Sequence, residues 1–247
     1  MDISGKNAFV TGASSGIGKA IAIALASKGV NIALVGRDKN RLQETAKEIA
    51  AQNPVKTICC PADITVEENV RKIVNQAASE LGGLDYLVNC AGVSQRKGYK
   101  IEEIESAEFQ RIMRSNVDSM LFCCKEAMPY LKESSGAHII NILSTAAFAS
   151  GAGGGIYSAS KYAARALHEA LEAANKGSNI KVSAISPGPV KTNIWSHKLE
   201  EITETRKEHM LRPEDIADIA IFLLTIGANV HIGNITVEPW FYTKGKK

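Results

Sequence analysis

Asn7-Ala8-Phe9-Val10-Thr11-Gly12-Ala13-Ser14-Ser15-Gly16-Ile17-Gly18 is the stretch whose reading decides the fold. An apolar run reads as a strand, a glycine-rich turn follows, and a segment of helical period begins at Ile17. Glycines at such a turn let the backbone approach a pyrophosphate at the positively polarised N-terminus of the helix. The spacing G-x-x-x-G-x-G differs from the common G-x-G-x-x-G, and tight strand-to-helix turns also occur for packing alone. The rest of the chain has to decide between a dinucleotide site and a packing turn.

Outward from that turn, short runs rich in Val, Ile and Leu alternate with longer segments of helical period, the signature of repeated βα units. The strands are expected at Ala8 to Thr11, Asn31 to Gly36, Val55 to Cys60, Leu84 to Asn89, His138 to Leu143, Lys181 to Ser186 and Asn234 to Val237. Helices are expected near residues 17–28, 39–52, 66–80, 106–133, 157–175 and 213–225. The runs are nearly continuous rather than alternating, as in parallel strands covered on both faces. The expectation is therefore an α/β protein with a doubly wound, Rossmann-like, parallel seven-stranded sheet. One domain over residues 1–247 is expected, since no repeat or Pro-rich linker interrupts the pattern. Residues 188–212 lack clear periodicity and read as a mobile substrate loop or lid, ending where Pro213-Glu214-Asp215 opens a helix.

At 247 residues and 45% hydrophobic, the chain can bury a full core. The net charge of +3 is small, and Lys244, Lys246 and Lys247 read as a solvated tail rather than a nucleic-acid arm. The five cysteines, Cys59, Cys60, Cys90, Cys123 and Cys124, show no spacing suited to zinc, so no metal and reduced thiols are expected. Neither a leader nor an apolar run of about 18 residues is apparent. A cytoplasmic protein without membrane or nucleic-acid partners is the expectation.

Tyr157 and Lys161 are four apart at the head of an expected helix and so share one face. Alone, such a pair is more often an ordinary amphipathic face. A phenol of ordinary pKa near 10 must drop by about 3 units, about 4 kcal/mol, to exchange protons at neutral pH. One cation about 4 Å away supplies roughly that much at an effective dielectric of about 20. Ser144 follows the strand ending Ile142-Leu143, at the carboxyl edge where open parallel sheets place ligands, and a hydroxyl there could hold a substrate oxygen.

Thr11-Gly12-x-x-x-Gly16-Ile17-Gly18, Asn89-x-Ala91-Gly92, Asn116, Ser144, Tyr157-Ser158-Ala159-Ser160-Lys161 and Pro187-Gly188-x-Val190-x-Thr192 together resemble the single-domain short-chain dehydrogenase/reductases. The resemblance spans nearly the whole chain, with six motifs in order on the right elements. It implies that Tyr157 is the acid/base and that Ser144 holds the substrate oxygen. Lys161 would favour the phenolate and grip the nicotinamide ribose, and Asn116 would position a relay water. It further implies a cofactor site made of Gly12, Ser14, Ser15, Gly16, Ile17 and Gly18, with Asp63 and Ile64 at the adenine. Asn89, Ala91 and Gly92 would line the cleft, and Pro187, Gly188, Val190 and Thr192 would seat the carboxamide. A homo-oligomer, dimer or tetramer, is also implied. Two departures stand out: Cys90 replaces a frequent Asn, which should affect packing more than chemistry. The ending Gly233-Asn234-Ile235-Thr236-Val237-Glu238-Pro239-Trp240 replaces a frequent Asp-Gly-Gly, which puts the usual tetramer packing in doubt.

Cofactor choice falls on Gly36-Arg37-Asp38 after the second strand. An acid at position 36 would bind a ribose hydroxyl and repel a 2′-phosphate; Gly36 cannot, whereas Arg37 could bind the phosphate. NADP(H) is expected, with NAD as the alternative if Asp38 meets the ribose instead. The substrate pocket is expected from residues 94–99, 148–155 and 193–210. Trp195 and Met210 either close over an apolar substrate or anchor the loop, while His197 and His209 receive no role. The expected function is an oxidoreductase passing a hydride between NADP(H) and a small-molecule carbonyl or secondary alcohol. The alternatives are an NADP(H)-binding redox sensor without turnover and, ranked third, an epimerase or dehydratase.

Overall fold

Nearly continuous apolar runs, with few polar residues to present to water, suit a sheet covered on both sides, where each strand's backbone groups are paired. In a computed structural model, which describes residues 1–96, 100–151, 155–195 and 208–241, these runs form one sheet. Its strands are β1 (Asn7–Thr11), β2 (Asn31–Gly36), β3 (Thr57–Pro61), β4 (Tyr86–Asn89), β5 (Ala137–Ile142), β6 (Ile180–Pro187) and β7 (Asn234–Val237). The order is β3-β2-β1-β4-β5-β6-β7, and every neighbouring pair is parallel. The helices between them are α1 (Gly16–Ala26), α2 (Lys39–Ala50), α3 (Glu67–Leu81), α4 (Ser106–Met113), α5 (Ser119–Glu133), α6 (Gly155–Asn175) and α7 (Pro213–Thr225).

Side chains alternate between the two faces with the period of a strand. Phe9 joins a cluster with Val70 of α3 and Cys123 and Leu131 of α5. Its neighbours Ala8 and Val10 face the other way, against Ile21 and Leu25 of α1, Leu42 of α2 and Leu223 of α7. The expected doubly wound, Rossmann-like sheet is the one observed. Strand order reverses between β1 and β4, which opens a crevice at the carboxyl ends of those strands.

One expected helix is two. The segment 106–133 is broken by a π turn over Arg114–Asp118, where each turn takes an extra residue. Asn116 lies on that turn and bonds across to the chain after β4, which compensates for the widened backbone. The loop after β6 closes at its base through a Val190 to Leu211 bridge, with Lys191 N–H donating to the Leu211 carbonyl at 2.8 Å. The middle of the lid expected at 188–212, residues 196–207, lies outside the described residues, as do His197, Tyr99 and the three terminal lysines.

Candidate active site

The turn after β1 is shaped by how little room it has. Gly12 (φ +72°) and Gly16 (φ +54°) take left-handed backbone angles. A Cβ on Gly18 would lie 2.4 Å from the Gly12 carbonyl oxygen, and one on Gly12 would lie 3.1 Å from the Ala91 nitrogen. The Thr11 hydroxyl ties the turn to the end of β4, accepting from Cys90 N–H (2.9 Å) and Ala91 N–H (3.1 Å) while donating to the Val88 carbonyl. Ser15 caps α1 without a side-chain bond, and the first turn carries no acid, so amides there remain available to an anion.

Two cavities meet at this point. One, of about 410 Å³, is walled by Gly12, Ser14, Ser15, Gly16, Ile17, Gly18, Arg37, Asp63, Ile64, Ala91 and Gly92. The other, of about 500 Å³, holds Ser144, Tyr157, Lys161, Pro187, Gly188, Val190 and Thr192. Ile17, Cys90, Gly92 and Thr192 border both, so the two form one groove along the carboxyl ends of the strands.

In the second cavity, Ser144 caps a single 3-10 turn after β5, its Oγ accepting from Ala146 N–H at 3.1 Å. Tyr157 is half-buried in the first turn of α6, and its N–H donates to Gln95 Oε1 at 3.3 Å. Lys161 lies one turn on. Only 6% exposed, its Nζ donates to the Ile142 carbonyl at 3.1 Å and sits 5.9 Å from the Tyr157 ring centroid. A buried ammonium needs such a partner, and the carbonyl fixes it beneath the phenol.

Asn116 acts from outside the cavity wall. Its Oδ1 accepts from Val93 N–H (2.8 Å), while Nδ2 donates to the Val93 carbonyl (3.0 Å) and to Ser160 Oγ (2.9 Å). Ser160 Oγ in turn donates to the Tyr157 carbonyl at 2.7 Å. Both polar side-chain atoms of Asn116 are thus bonded to protein, and they brace the helix under Tyr157. Asn89, expected to line the cleft, is buried behind the wall of the groove. Its Nδ2 donates to Asn141 Oδ1 (2.9 Å) and contacts Cys124 Sγ, and Cys90, Ala91 and Gly92 form the wall instead. Burial pushes the Cys90 thiol up to about 12, so it stays protonated and acts as wall rather than nucleophile.

At the first cavity's far end, Asp63 accepts from Thr65 N–H (3.0 Å) and Oγ1 (2.8 Å), bonds that with the charge of Arg37 hold its carboxyl below the usual range. Arg37 is exposed beside it. Asp38 is already engaged as the N-cap of α2, accepting from Asn40 N–H and Arg41 N–H at 3.0 and 3.1 Å. A Cβ on Gly36 would come within 3.3 Å of Ser14 Oγ.

Several residues at the site make bonds for which the sequence gives no local signal. Ser160 and Gln95 are buried polar residues whose partners are distant in sequence. Glu108, also buried, accepts from Arg96 N–H at 3.0 Å and pairs with Arg111 at 2.7 Å, and Arg111 Nη2 reaches the Ser94 carbonyl at 2.9 Å. This set pins the chain that follows β4 along the groove. Among the described residues, no group of three or more His, Cys, Asp or Glu could hold a metal, and no helix is long and apolar enough to cross a membrane.

A doubly wound sheet with a glycine cradle at its switch point defines a dinucleotide-binding α/β protein. The chain belongs to the short chain dehydrogenases, whose family profile matches residues 6–203, and is an oxidoreductase of that family. It is 37% identical over 234 residues to an uncharacterized oxidoreductase of Staphylococcus aureus, covering 95% of this chain and 97% of the relative. An alcohol dehydrogenase from Thermococcus sibiricus, solved with 5-hydroxy-NADP, superposes with a TM-score of 0.87 at 26% identity, covering 98% of this chain and 99% of that one. A 3-ketoacyl-(acyl-carrier-protein) reductase from Brucella melitensis, solved with NADH, gives 0.87 at 28% identity, covering 97% and 99%.

Proposed function

We propose that the protein passes a hydride between NADP(H) and a carbonyl or secondary alcohol, with Tyr157 as general acid/base. The observation that carries this reading is the convergence of Ser144, Tyr157 and Lys161 on a cavity into which the glycine-walled groove opens. The cradle suits a dinucleotide, because Gly12 and Gly18 let the turn close backbone against backbone, which brings the available amides at the start of α1 to the groove. Gly12, Ser14, Ser15, Gly16, Ile17 and Gly18 hold the pyrophosphate, Asp63 and Ile64 the adenine, Lys161 the nicotinamide ribose, and Pro187 to Thr192 the carboxamide. When bound, the nicotinamide supplies the hydride donor or acceptor.

In the reduction direction Tyr157 gives its phenolic proton to the substrate oxygen as charge develops there, and Ser144 Oγ donates a second hydrogen bond to that oxygen. The Lys161 ammonium beneath the ring stabilises the phenolate left behind. Asn116 and Ser160 keep the first turn of α6 in place, so the phenol meets a substrate oxygen without reorganisation.

Two observations support NADP(H) over NAD(H). Gly36 leaves no carboxylate to repel a 2′-phosphate, and Asp38, the one acid adjacent, is used as a helix cap. Arg37 is exposed in the groove wall, where a charge-assisted bond is worth about 1.5 to 3 kcal/mol. Structural neighbours of this fold are solved with either cofactor, so the selection rests on these side chains. Initial rates across ketones, quinones, acyl thioesters and sugar carbonyls test the reading. NADPH should exceed NADH in kcat/KM by about tenfold to a hundredfold, and Arg37→Ala should erase the difference. Tyr157→Phe should reduce turnover by more than about a thousandfold while NADPH binding stays within a few-fold. Full activity in that variant would refute the mechanism.

A further inference from the structure

The carboxyl end that departs from the family pattern returns to the cavity. β7 pairs with β6 up to the Pro187–Val237 pair, Gly188 N–H donates to the Val237 carbonyl at 2.8 Å, and Glu238 follows directly. Glu238 is part of the wall of the 500 Å³ cavity. A Cβ on Gly188 would lie 3.6 Å from the Glu238 Cα, so the segment is packed against the carboxamide stretch and has a fixed place. The start of β7 is held as well, by His168 Nε2 bonding the Gly233 carbonyl at 3.2 Å.

Glu238 is the only carboxylate in that wall among the described residues. Its side chain is exposed at the cavity's edge and forms no ion pair or hydrogen bond among them. The one cation in the wall among the described residues, Lys161, is buried and committed to the Ile142 carbonyl. Most of the remaining wall is apolar, including Val93, Leu143, Ala149 and Ile194. Trp240, two residues on, presents 84% of its surface to solvent, and Phe241 presents 53%. A lone carboxylate with exposed aromatic surface on the same segment is the chemistry that recognises an organic ammonium.

The sheet sets the reach. Leu143 N–H donates to the Ile185 carbonyl, so Ser144 stands level with Pro187, and Pro187 stands level with Val237. Ser144 and Glu238 are therefore at the ends of strands two steps apart, a backbone separation of about 10 Å. A substrate with its carbonyl at Ser144 and Tyr157 and a charged group across one benzene ring would span the gap between the two side chains.

We propose that Glu238 sets substrate charge, so that the cavity takes carbonyl or alcohol compounds bearing a protonated amine and disfavours those bearing a carboxylate or phosphate. This rests on the hydride-transfer reading only for the location of the substrate. Three probes of one shape test it: 4-acetylbenzylamine, 4-ethylacetophenone and 4-acetylbenzoate, each measured for NADPH oxidation with the wild-type protein, Glu238→Gln and Glu238→Lys. The ratio of kcat/KM for the cation to that for the anion should be about tenfold or more at low salt, shrink as salt is added, fall toward one in Glu238→Gln and invert in Glu238→Lys. A ratio that Glu238→Gln leaves unchanged overturns the proposal while the oxidoreductase reading stands. Calorimetric binding of unreactive benzylamine and benzoate to the NADP+-saturated protein separates the two ideas. If no ketone turns over, yet benzylamine binds in preference to benzoate and Glu238→Gln removes that preference, the charge proposal stands and the hydride-transfer reading fails. Absence of any benzylamine binding, or equal binding of both, overturns the charge proposal. Thermal melting of the variants checks that the exposed substitutions leave the fold intact.

Discussion

The glycines in the two halves of the groove differ in one measurable way. Around β1 they are crowded: a Cβ on Gly12, Gly16 or Gly18 would meet another atom at 3.1, 3.1 and 2.4 Å respectively. After β5, Gly151 and Gly155 are not, since a Cβ on either would meet nothing within 4 Å among the described atoms, whereas Gly188 after β6 is crowded by Pro239 Cδ at 3.1 Å. The cofactor half is therefore defined at Gly12 and Gly18 by backbone against backbone, in which no side chain can be traded for another, and at Gly16 by the Thr192 methyl. The substrate half is defined by side chains at strand ends, beside an edge strand β7 whose residues alternate between exposed and half-buried. One half admits little variation, and the other is where a change of residue changes what is bound.

Gly18→Ala attacks that contrast most directly. The added methyl would lie 2.4 Å from the Gly12 carbonyl oxygen and 2.6 Å from its carbon, and neither is a flexible side-chain end that could swing aside. Overpacking of this kind costs about 1 to 3 kcal/mol or more, and it distorts the cradle itself. NADPH affinity by fluorescence titration should fall by more than about a hundredfold. Affinity within a few-fold of wild type would show that the crowding does not define the cofactor half.

Glu108 connects the halves, since through Arg96, Arg111 and the Ser94 carbonyl it pins the chain that borders both cavities. The Arg111 hydrogen bond, first among the causes, holds its carboxyl down to about 2, against an ordinary 4.5. A depressed acid contributes stability that is complete above its unfolded pKa and is lost as pH falls through the folded one. Glu108→Gln should thus cost about 2 kcal/mol at pH 7 by denaturant unfolding. The difference from wild type should narrow steadily between pH 4.5 and pH 2. A constant difference across that window would place the effect in packing rather than charge.

The same contrast explains what the chain discloses as sequence. β2 and β7 begin and end where the apolar runs do, and α7 starts at Pro213, because burial, edge position and a proline at the first helical residue each leave a local mark. The glycine spacing around residue 12 is legible for the same reason: a close backbone contact demands one residue type. β3 differs at both ends from the expected Val55 to Cys60 and includes Pro61, which an edge strand tolerates because it needs no second ladder. The π turn at Arg114–Asp118 left no mark, since apolar positions recur on either side of it. Ser160 stands in a quoted motif and Gln95 in the expected pocket stretch, yet what they bond is not legible, because their partners are 44 and 62 residues away and local period carries no record of that.

Ser160→Ala tests whether such a residue positions the reacting group. The hydroxyl is fully buried, accepts from Asn116 and donates to the Tyr157 carbonyl, so its loss frees the first turn of α6 from the π turn. One uncharged hydrogen bond is worth about 1 kcal/mol. The expected effect is a fall in kcat of about fivefold with NADPH affinity unchanged and with Ser160→Thr recovering part of the loss. Equal losses in kcat and NADPH affinity would mark Ser160 as a general packing residue.

The smallest expected change has the opposite sign. Gly155 opens α6 with a φ outside the left-handed range, and a methyl there meets no described atom. Alanine at such a position stabilises chiefly by restricting the unfolded chain, by about 0.4 to 1 kcal/mol. Gly155→Ala should therefore raise the melting temperature by about 1 to 4 °C in a chain of this size. The same substitution is thus expected to damage the molecule at residue 18 and to strengthen it at residue 155. A lowered melting temperature would mean that the space beside Gly155 is needed in the folded protein, and that the substrate half is as tightly specified as the cofactor half.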